Sequence, residues 1–392
     1  MRIAHVITRM ILGGAQENTL YNCEDLQRFY GDNVLLITGP SLGPEGSLLE
    51  RAQASGVPVR IIGSLRRSIH PWRDWRSYRE LHEVLQEFRP EVVHTHSAKG
   101  GILGRAAAFR LQVPAIIHTV HGAPFHPYQS PLSAFAFRAC ERWAASRCDA
   151  YISVADAMTD LMVAAQVAPR EKFTTIYSGM EVEPFLQAHE QRARVRRELG
   201  YADDHIVIGK IARLFHLKGH EYVIQAAAEV VRQNPRVRFL FVGDGILADE
   251  LRQQIAAAGL DAHFHFTGLV PPEQIPPLIA AMDVLVHTSL REGLARTLPQ
   301  ALISAKPVIS YDIDGAREVV LPGVTGYLLP PQEVAGLAQA IVELAADAGL
   351  RERLGSEGRR RCADIFRHQH MTAEIRRLYV RVLAGELSNV EL

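Results

Sequence analysis

The 392-residue chain has no net charge, with 43 Lys and Arg set against 43 Asp and Glu. Nucleic-acid binding by the whole chain would need a basic surplus, so this balance argues against it. Cysteine is scarce. Cys23, Cys140, Cys148 and Cys362 form neither a C-x-x-C pair nor a zinc-finger spacing, which points to buried thiols in a reducing compartment. No stretch approaches the roughly 18 continuous apolar residues of a membrane helix. The opening Met1-Arg2-Ile3-Ala4-His5-Val6-Ile7 has one basic residue and too short an apolar run for a signal-peptide core. The expected location is cytoplasmic, with the protein dissolved or peripheral on the cytoplasmic face of the membrane. Lysine is rare too, at five of the 43 basic residues. The remainder are arginines, which suit bidentate contacts to phosphate.

The residues present, 47% hydrophobic and 22% charged, are those of an ordinary globular protein, and the length suits two domains. Short apolar runs alternate with longer amphipathic stretches. Runs at 3–8, 34–38, 57–62, 92–96, 115–120 and 150–154 read as strands buried on both faces. Between them 16–29, 47–55, 72–88, 100–109 and 131–146 have helical spacing. A second series of strands follows at 206–212, 238–242, 263–267, 284–287, 307–310 and 326–328. Such alternation predicts parallel sheets covered by helices. The break falls at 177–184, where Ser178-Gly179 offers turn chemistry and Pro184 discourages continuation. The domains expected are residues 1–180, residues 181–366 and a terminal helix in 367–392 that packs back on the first domain.

Doubly wound sheets bind ligands at the carboxyl ends of their strands, so the loops there carry the chemistry. After the first strand, Gly13-Gly14-Ala15-Gln16 runs into a helix whose start favours an anion, although the dinucleotide fingerprint G-x-G-x-x-G is missing. Two strand ends read His94-Thr95-His96-Ser97 and His118-Thr119-Val120-His121-Gly122. Four histidines invite a zinc hypothesis, but no Cys or carboxylate stands beside them, and hydrogen-bonded structural histidines are the expected reading. His121, before a glycine at a strand end, is placed to face a polar ligand. In the second half, Arg213 and Lys218 follow a strand and suit the oxygens of a diphosphate. Val242-Gly243-Asp244-Gly245 forms a turn that brings backbone close to a ligand. Glu292-Gly293-Leu294 precedes a helix start that includes Thr297, with Glu292 able to accept from sugar hydroxyls or to complement the helix dipole. Asp312-Ile313-Asp314-Gly315 closes the set; it has the form of a metal-binding D-x-D, and is read as a loop.

Together these segments resemble the retaining GT-B glycosyltransferases of family 4, over nearly the whole chain. The resemblance rests on their order and spacing, with Val324-Thr325-Gly326-Tyr327-Leu328 as a further match. It implies two Rossmann-like domains facing across a cleft, and transfer of a hexose or N-acetylhexosamine from a nucleoside diphosphate sugar to a glycan or lipid-linked acceptor. Arg213 and Lys218 would stabilise the leaving diphosphate, and Gly13 and Gly14 would let the first loop close over it. Glu292 would contact the transferred sugar, assisted by backbone amides near Gly293 and Leu294. His121 would touch the same sugar. Gly243, Leu269, Thr297, Gln300 and Glu318 would complete the donor site, with Leu269 beside the nucleobase. No metal or other cofactor is implied, because the two cations replace one. Closure of the domains about the linker would exclude water.

Two departures from the family pattern bear on the donor. Gln300 stands where the family has a second Glu that binds ribose, and Gln16 where it has Glu; an amide still bonds ribose hydroxyls without charge. The segment 60–79 holds six arginines with Trp72, Trp75 and Tyr78, a composition suited to anionic lipid. The same aromatics continue through Leu81, Leu85 and Phe88 at helical spacing, which is the pattern of a core face. A nucleotide-sugar epimerase and a catalytically degenerate subunit are the alternative functions.

Overall fold

In Ile3-Ala4-His5-Val6-Ile7 every residue is buried, as a strand covered on both faces requires. This computed structural model describes residues 1–42 and 46–386. Two units emerge, one of residues 1–180 joined by the segment from Ile365 onward, the other Glu181–Asp364.

The first unit holds seven strands: β1 (Arg2–Ile7), β2 (Asn33–Thr38), β3 (Val59–Ile61), β4 (Val92–His96), β5 (Ala115–Val120), β6 (Ala150–Ser153) and β7 (Phe173–Thr175). All pair in parallel, in the order β3-β2-β1-β4-β5-β6-β7. Consecutive strands are linked by helices such as Gly14–Tyr30, Pro71–Phe88 and Ala98–Arg110, because a parallel pair needs a long crossover. β7 was not anticipated, since three half-buried residues (Phe-Thr-Thr) leave no apolar run to read. The order reverses between β1 and β4, and the register sets His5 opposite His94 and Thr95 opposite His118.

The helix His368–Leu383 belongs to this unit. Its Ile375, Leu378 and Tyr379 join the core built by Ile3, Leu26, Leu36 and Ile117. Buried Asp25 accepts from Thr372 Oγ1 at 2.9 Å and pairs with His368 Nδ1 at 2.8 Å, while Arg376 reaches Asp32 at 2.9 Å. In the helix Pro71–Phe88 the aromatic stripe divides. Leu81 and Leu85 are core, whereas Trp72 and Trp75 are 77% and 53% exposed. Phe135 and Trp143, on Pro131–Ala145, are exposed as well. The expectation of buried thiols fails at Cys140, which lies on the outer side of that helix; Cys23, Cys148 and Cys362 are buried. Among the described residues no helix is long and apolar enough to cross a membrane.

The second unit repeats the plan with six strands: β8 (Ile206–Ile211), β9 (Val237–Val242), β10 (Phe264–Phe266), β11 (Val284–His287), β12 (Val308–Tyr311) and β13 (Gly326–Leu329). They form a parallel sheet in the order β10-β9-β8-β11-β12-β13, reversing between β8 and β11. Phe239, Phe241, Val284 and Ile309 pack against Val223, Val230, Leu337 and Ile341 of the covering helices.

Candidate functional site

Where the second sheet reverses, the loops after β8, β9 and β11 are laced together by backbone. Leu214 N–H donates to Asp244 O at 2.9 Å, and Leu290 N–H donates to Leu217 O at 2.8 Å. Such close passage excludes side chains. A Cβ on Gly243 (φ 137°) would lie 2.2 Å from Ala212 O, and one on Gly219 (φ 69°) would lie 2.0 Å from Thr288 O. Both turns therefore need glycine for space and for backbone conformation. Leu217 (φ 66°) and Asp314 (φ 46°) are also held left-handed here, a strain that loops tolerate when their surroundings over-determine them.

This lacing brings two sequence-predicted residues into contact. Lys218 Nζ donates to Glu292 Oε1, forming an ion pair across 74 positions of chain. The Glu292 amide donates to Asp314 Oδ2 at 2.6 Å, and Gly315 N–H donates to Gly293 O at 3.0 Å, so the loop after β12 fastens this stretch in place. Burial alone would raise the Glu292 carboxyl. The Lys218 ammonium, and then His287 with Nε2 3.9 Å away, outweigh it and hold the group below its ordinary range. Arg213 is exposed, its guanidinium 5.0 Å from the Phe215 ring centroid, and it makes no ion pair among the described residues.

Beneath the pair lies a residue that sequence reasoning missed. Lys210, within β8, is 0% exposed, and its Nζ donates to Thr288 Oγ1 at 2.9 Å, whose hydroxyl donates to Gly219 O at 2.6 Å. The signal was there, as one of only five lysines sits inside an apolar strand. Burial first, and then Lys218, lowers its pKa from 10.5 to about 7. Between these two values the unfolded chain holds a proton that the folded chain lacks, so stability from this group rises with pH across that window. Below pH 7 the ammonium has to be carried buried. Lys210→Met should therefore gain most over the parent near pH 6.5 and least near pH 9.5 in urea midpoints. An advantage unchanged between the two pH values would refute the assignment.

The other expected donor residues gather less tightly. The end of β10 comes beside Gly243, whose N–H donates to Gly268 O at 3.1 Å, and the next residue, Leu269, is 66% exposed. Leu294 is half-buried, and Thr297 opens the short helix Thr297–Ile303, which carries half-buried Gln300 one turn on. Glu318 ends the 3-10 turn Asp314–Glu318.

In the first unit, Gly13 caps the helix Gly14–Tyr30 with no side-chain cap, and its carbonyl accepts from Glu17 N–H at 3.0 Å. Thr8 Oγ1 and Ser97 Oγ lie 2.7 Å apart and join the loops after β1 and β4. The expected histidines divide. His94 bonds Tyr379 Oη and Thr119 Oγ1, each at 2.6 Å, and His118 bonds Thr95 Oγ1 at 2.8 Å. His121, just past β5, lies 3.1 Å from His96. His5, which the sequence reading passed over, joins them from β1.

Against known families, the model of "Glycosyl transferase 4-like domain" matches residues 13–179, and that of "Glycosyl transferases group 1" matches 191–361. The chain belongs to the group 1 glycosyltransferases. Their GT-B class accounts for both sheets. The UDP-Gal:alpha-D-GlcNAc-diphosphoundecaprenol alpha-1,3-galactosyltransferase of Escherichia coli is 28% identical over 88% of each chain. The 2-deoxystreptamine glucosyltransferase of Streptomyces kanamyceticus is 28% identical over 73% of this chain and 75% of its own. Anabaena HepE, solved in complex with UDP, superposes with a TM-score of 0.82 at 22% identity, over 97% of this group 1 chain and all of its own, and shows the shared fold. Membership makes the protein a glycosyltransferase.

Proposed function

We propose that this enzyme moves a hexose or N-acetylhexosamine from a nucleoside diphosphate sugar to a hydroxyl of a glycan or lipid-linked acceptor, retaining the anomeric configuration, in cell-envelope or exopolysaccharide synthesis. The observation that carries the reading is the Lys218–Glu292 contact at the reversal point of the second sheet, with exposed Arg213, which makes no ion pair among the described residues, on the same loop as Lys218. Two cations stabilise a departing diphosphate without a divalent metal, and the phosphate oxygen they hold takes the acceptor proton. Glu292 orients the transferred sugar with the amides of Gly293 and Leu294, and His121 contacts the same sugar. Gln300 and Glu318 meet the nucleotide, Thr297 lies between them, and Leu269 flanks the base. Gly13, Gly14 and Gly243 let backbone approach the phosphates. The E. coli and Anabaena proteins, named for a UDP-sugar and for a complex with UDP, make UDP-sugars the first donors to test.

Thermal-shift titration with UDP-, GDP-, ADP- and dTDP-sugars tests the proposal. One donor should shift the melting temperature, and Arg213→Ala should abolish the shift. Folded protein that responds to none would defeat it. Proton NMR of the product's anomeric centre then decides retention.

The acceptor reading is supported by a hollow of about 600 Å³ lined by Arg9, Arg66, Arg67 and Arg73 in the first unit. Among the described residues Arg66, Arg67 and Arg73 make no ion pair, and Ile69, Trp72 and Trp75 stand exposed nearby. Unneutralised guanidinium groups beside exposed aromatics suit a lipid-linked diphosphate at an anionic surface. Co-sedimentation with vesicles containing phosphatidylglycerol should fall severalfold in Arg66→Ser/Arg67→Ser, and also in 0.5 M salt as screening shortens to roughly 4 Å. Equal sedimentation with purely zwitterionic vesicles would contradict the surface reading.

A further inference from the structure

Three imidazoles are hydrogen-bonded in a line across the first sheet. His5 lies on β1, His96 ends β4, and His121 follows β5 directly. His5 Nδ1 is 3.0 Å from His96 Nε2, and His96 Nδ1 is 3.1 Å from His121 Nε2. The linked rings meet edge to edge and are close to coplanar, with interplanar angles of 14° and 30°. His5 and His96 are 0% exposed. His94 and His118, on the same two strands, bond hydroxyls instead, as structural histidines commonly do. Apolar side chains would fill the positions of His5 and His96 without the cost of desolvating ring nitrogens.

Burial keeps both rings neutral. It lowers His5 to about 3, and together with the neighbouring histidines it carries His96 well below its ordinary value. A neutral imidazole has one N–H and one lone pair, and each link needs one of each. The tautomers of all three rings therefore run in the same sense along the line. Among the described residues His5 Nε2 is buried without a hydrogen-bond partner, so the line stops there on one side and reaches His121 on the other.

We propose that His96, held in turn by His5, is a positioning residue for His121. It fixes which ring nitrogen of His121 bears the proton and the plane in which the ring meets the transferred sugar. The proposal rests on the reading that His121 contacts that sugar. A competing use of the cluster is metal binding, since ring nitrogens of His5, His94 and His96 lie within 4.8 Å of one another. The geometry opposes it. His94 already spends both nitrogens on Tyr379 and Thr119, and His5 Nδ1 and His96 Nε2 face each other at 3.0 Å, closer than the roughly 4 Å needed by an ion held between two ring nitrogens.

The test uses the full chain labelled with ¹⁵N-histidine, with His121 assigned by difference from His121→Ala. Long-range ¹H–¹⁵N spectra should show a single His121 tautomer in the parent and a mixture in His96→Phe. With whichever sugar nucleotide of the panel gives a thermal shift, kcat should fall roughly 10–100-fold in His96→Phe, the usual loss when an orienting partner of a functional imidazole goes. Donor KM should stay within about twofold, and His96→Asn, which returns a polar atom near the lost Nδ1, should recover part of kcat. If His96→Phe does not fold, His5→Phe at the far end carries the same prediction, with a smaller tautomer change. An unchanged His121 tautomer with unchanged kcat overturns the proposal, as does one equivalent of zinc that survives chelation in the parent and is lost in His5→Phe. Full transfer by His121→Ala would defeat the sugar-contact reading, while the spectra would still decide the coupling among the rings.

Discussion

Replacing Glu141 with Ala is expected to destabilise the first unit by about 3–5 kcal/mol, the cost of leaving one partner of a buried ion pair alone. Arg105 is 0% exposed and Glu141 is 2% exposed, and Arg105 Nη2 donates to Glu141 Oε2 at 2.8 Å. The rest of the guanidinium is also used: Nε donates to Gly101 O at 2.9 Å and Nη1 to Tyr151 Oη at 2.7 Å. Those two acceptors are neutral, so without Glu141 the cation stays buried with no counter-charge. Chemical unfolding followed by a probe in the first unit would report the loss. Arg105→Met/Glu141→Leu removes both charges and fills the space, and should be far nearer the parent than the single variant, because desolvation of both ions disappears with their attraction. A single variant within about 1 kcal/mol of the parent would show that solvent reaches the guanidinium and that the pair is not buried in solution.

That pair also marks where sequence reading stops. Apolar runs such as Val92–His96, Ala115–Val120 and Val284–His287 give strands with the observed ends, because a strand covered on both faces must be apolar throughout. Loops rich in Gly, Arg and Glu after those strands were legible for the complementary reason: backbone near an anion needs glycine and charge. Three-residue β7, with no inward residue fully buried, had no such signature. Contacts across the sheet were invisible as well. Arg105 and Glu141 sit on successive helices that each read as ordinary amphipathic segments, and their meeting depends on how both lie over β5 and β6. His5 and Lys210 were each one polar residue in an apolar strand, and only the order of strands reveals their neighbours. The helix Pro71–Phe88 carried one continuous stripe by spacing, from Trp72 and Trp75 through Leu81 and Leu85. In the structure Trp72 and Trp75 nevertheless stand exposed, while Leu81 and Leu85 are buried.

Replacing Lys218 with Met should lower kcat/KM for the donor by roughly 10²–10³-fold, the range typical of losing one preorganised group that stabilises developing charge. Two effects act in the same direction. The ammonium that would meet the diphosphate is gone, and Glu292 loses the cation paired with it. An exposed carboxylate pair would be screened by water. Glu292 is not in that situation, with its side chain 23% exposed and fastened by its own amide to Asp314. Its uncompensated charge would then repel the donor. This separates the two contributions experimentally. Glu292→Gln alone should cost activity through the lost sugar contact, but Lys218→Met/Glu292→Gln should lose less than the product of the single effects, since the repulsion is no longer present. Strict multiplicativity in that cycle would mean that the two side chains part when donor binds, with Lys218 turning wholly to the phosphates. Unchanged donor kinetics in Lys218→Met would remove this residue from the site altogether and leave Arg213 as the cation of the second unit on which the proposed chemistry depends.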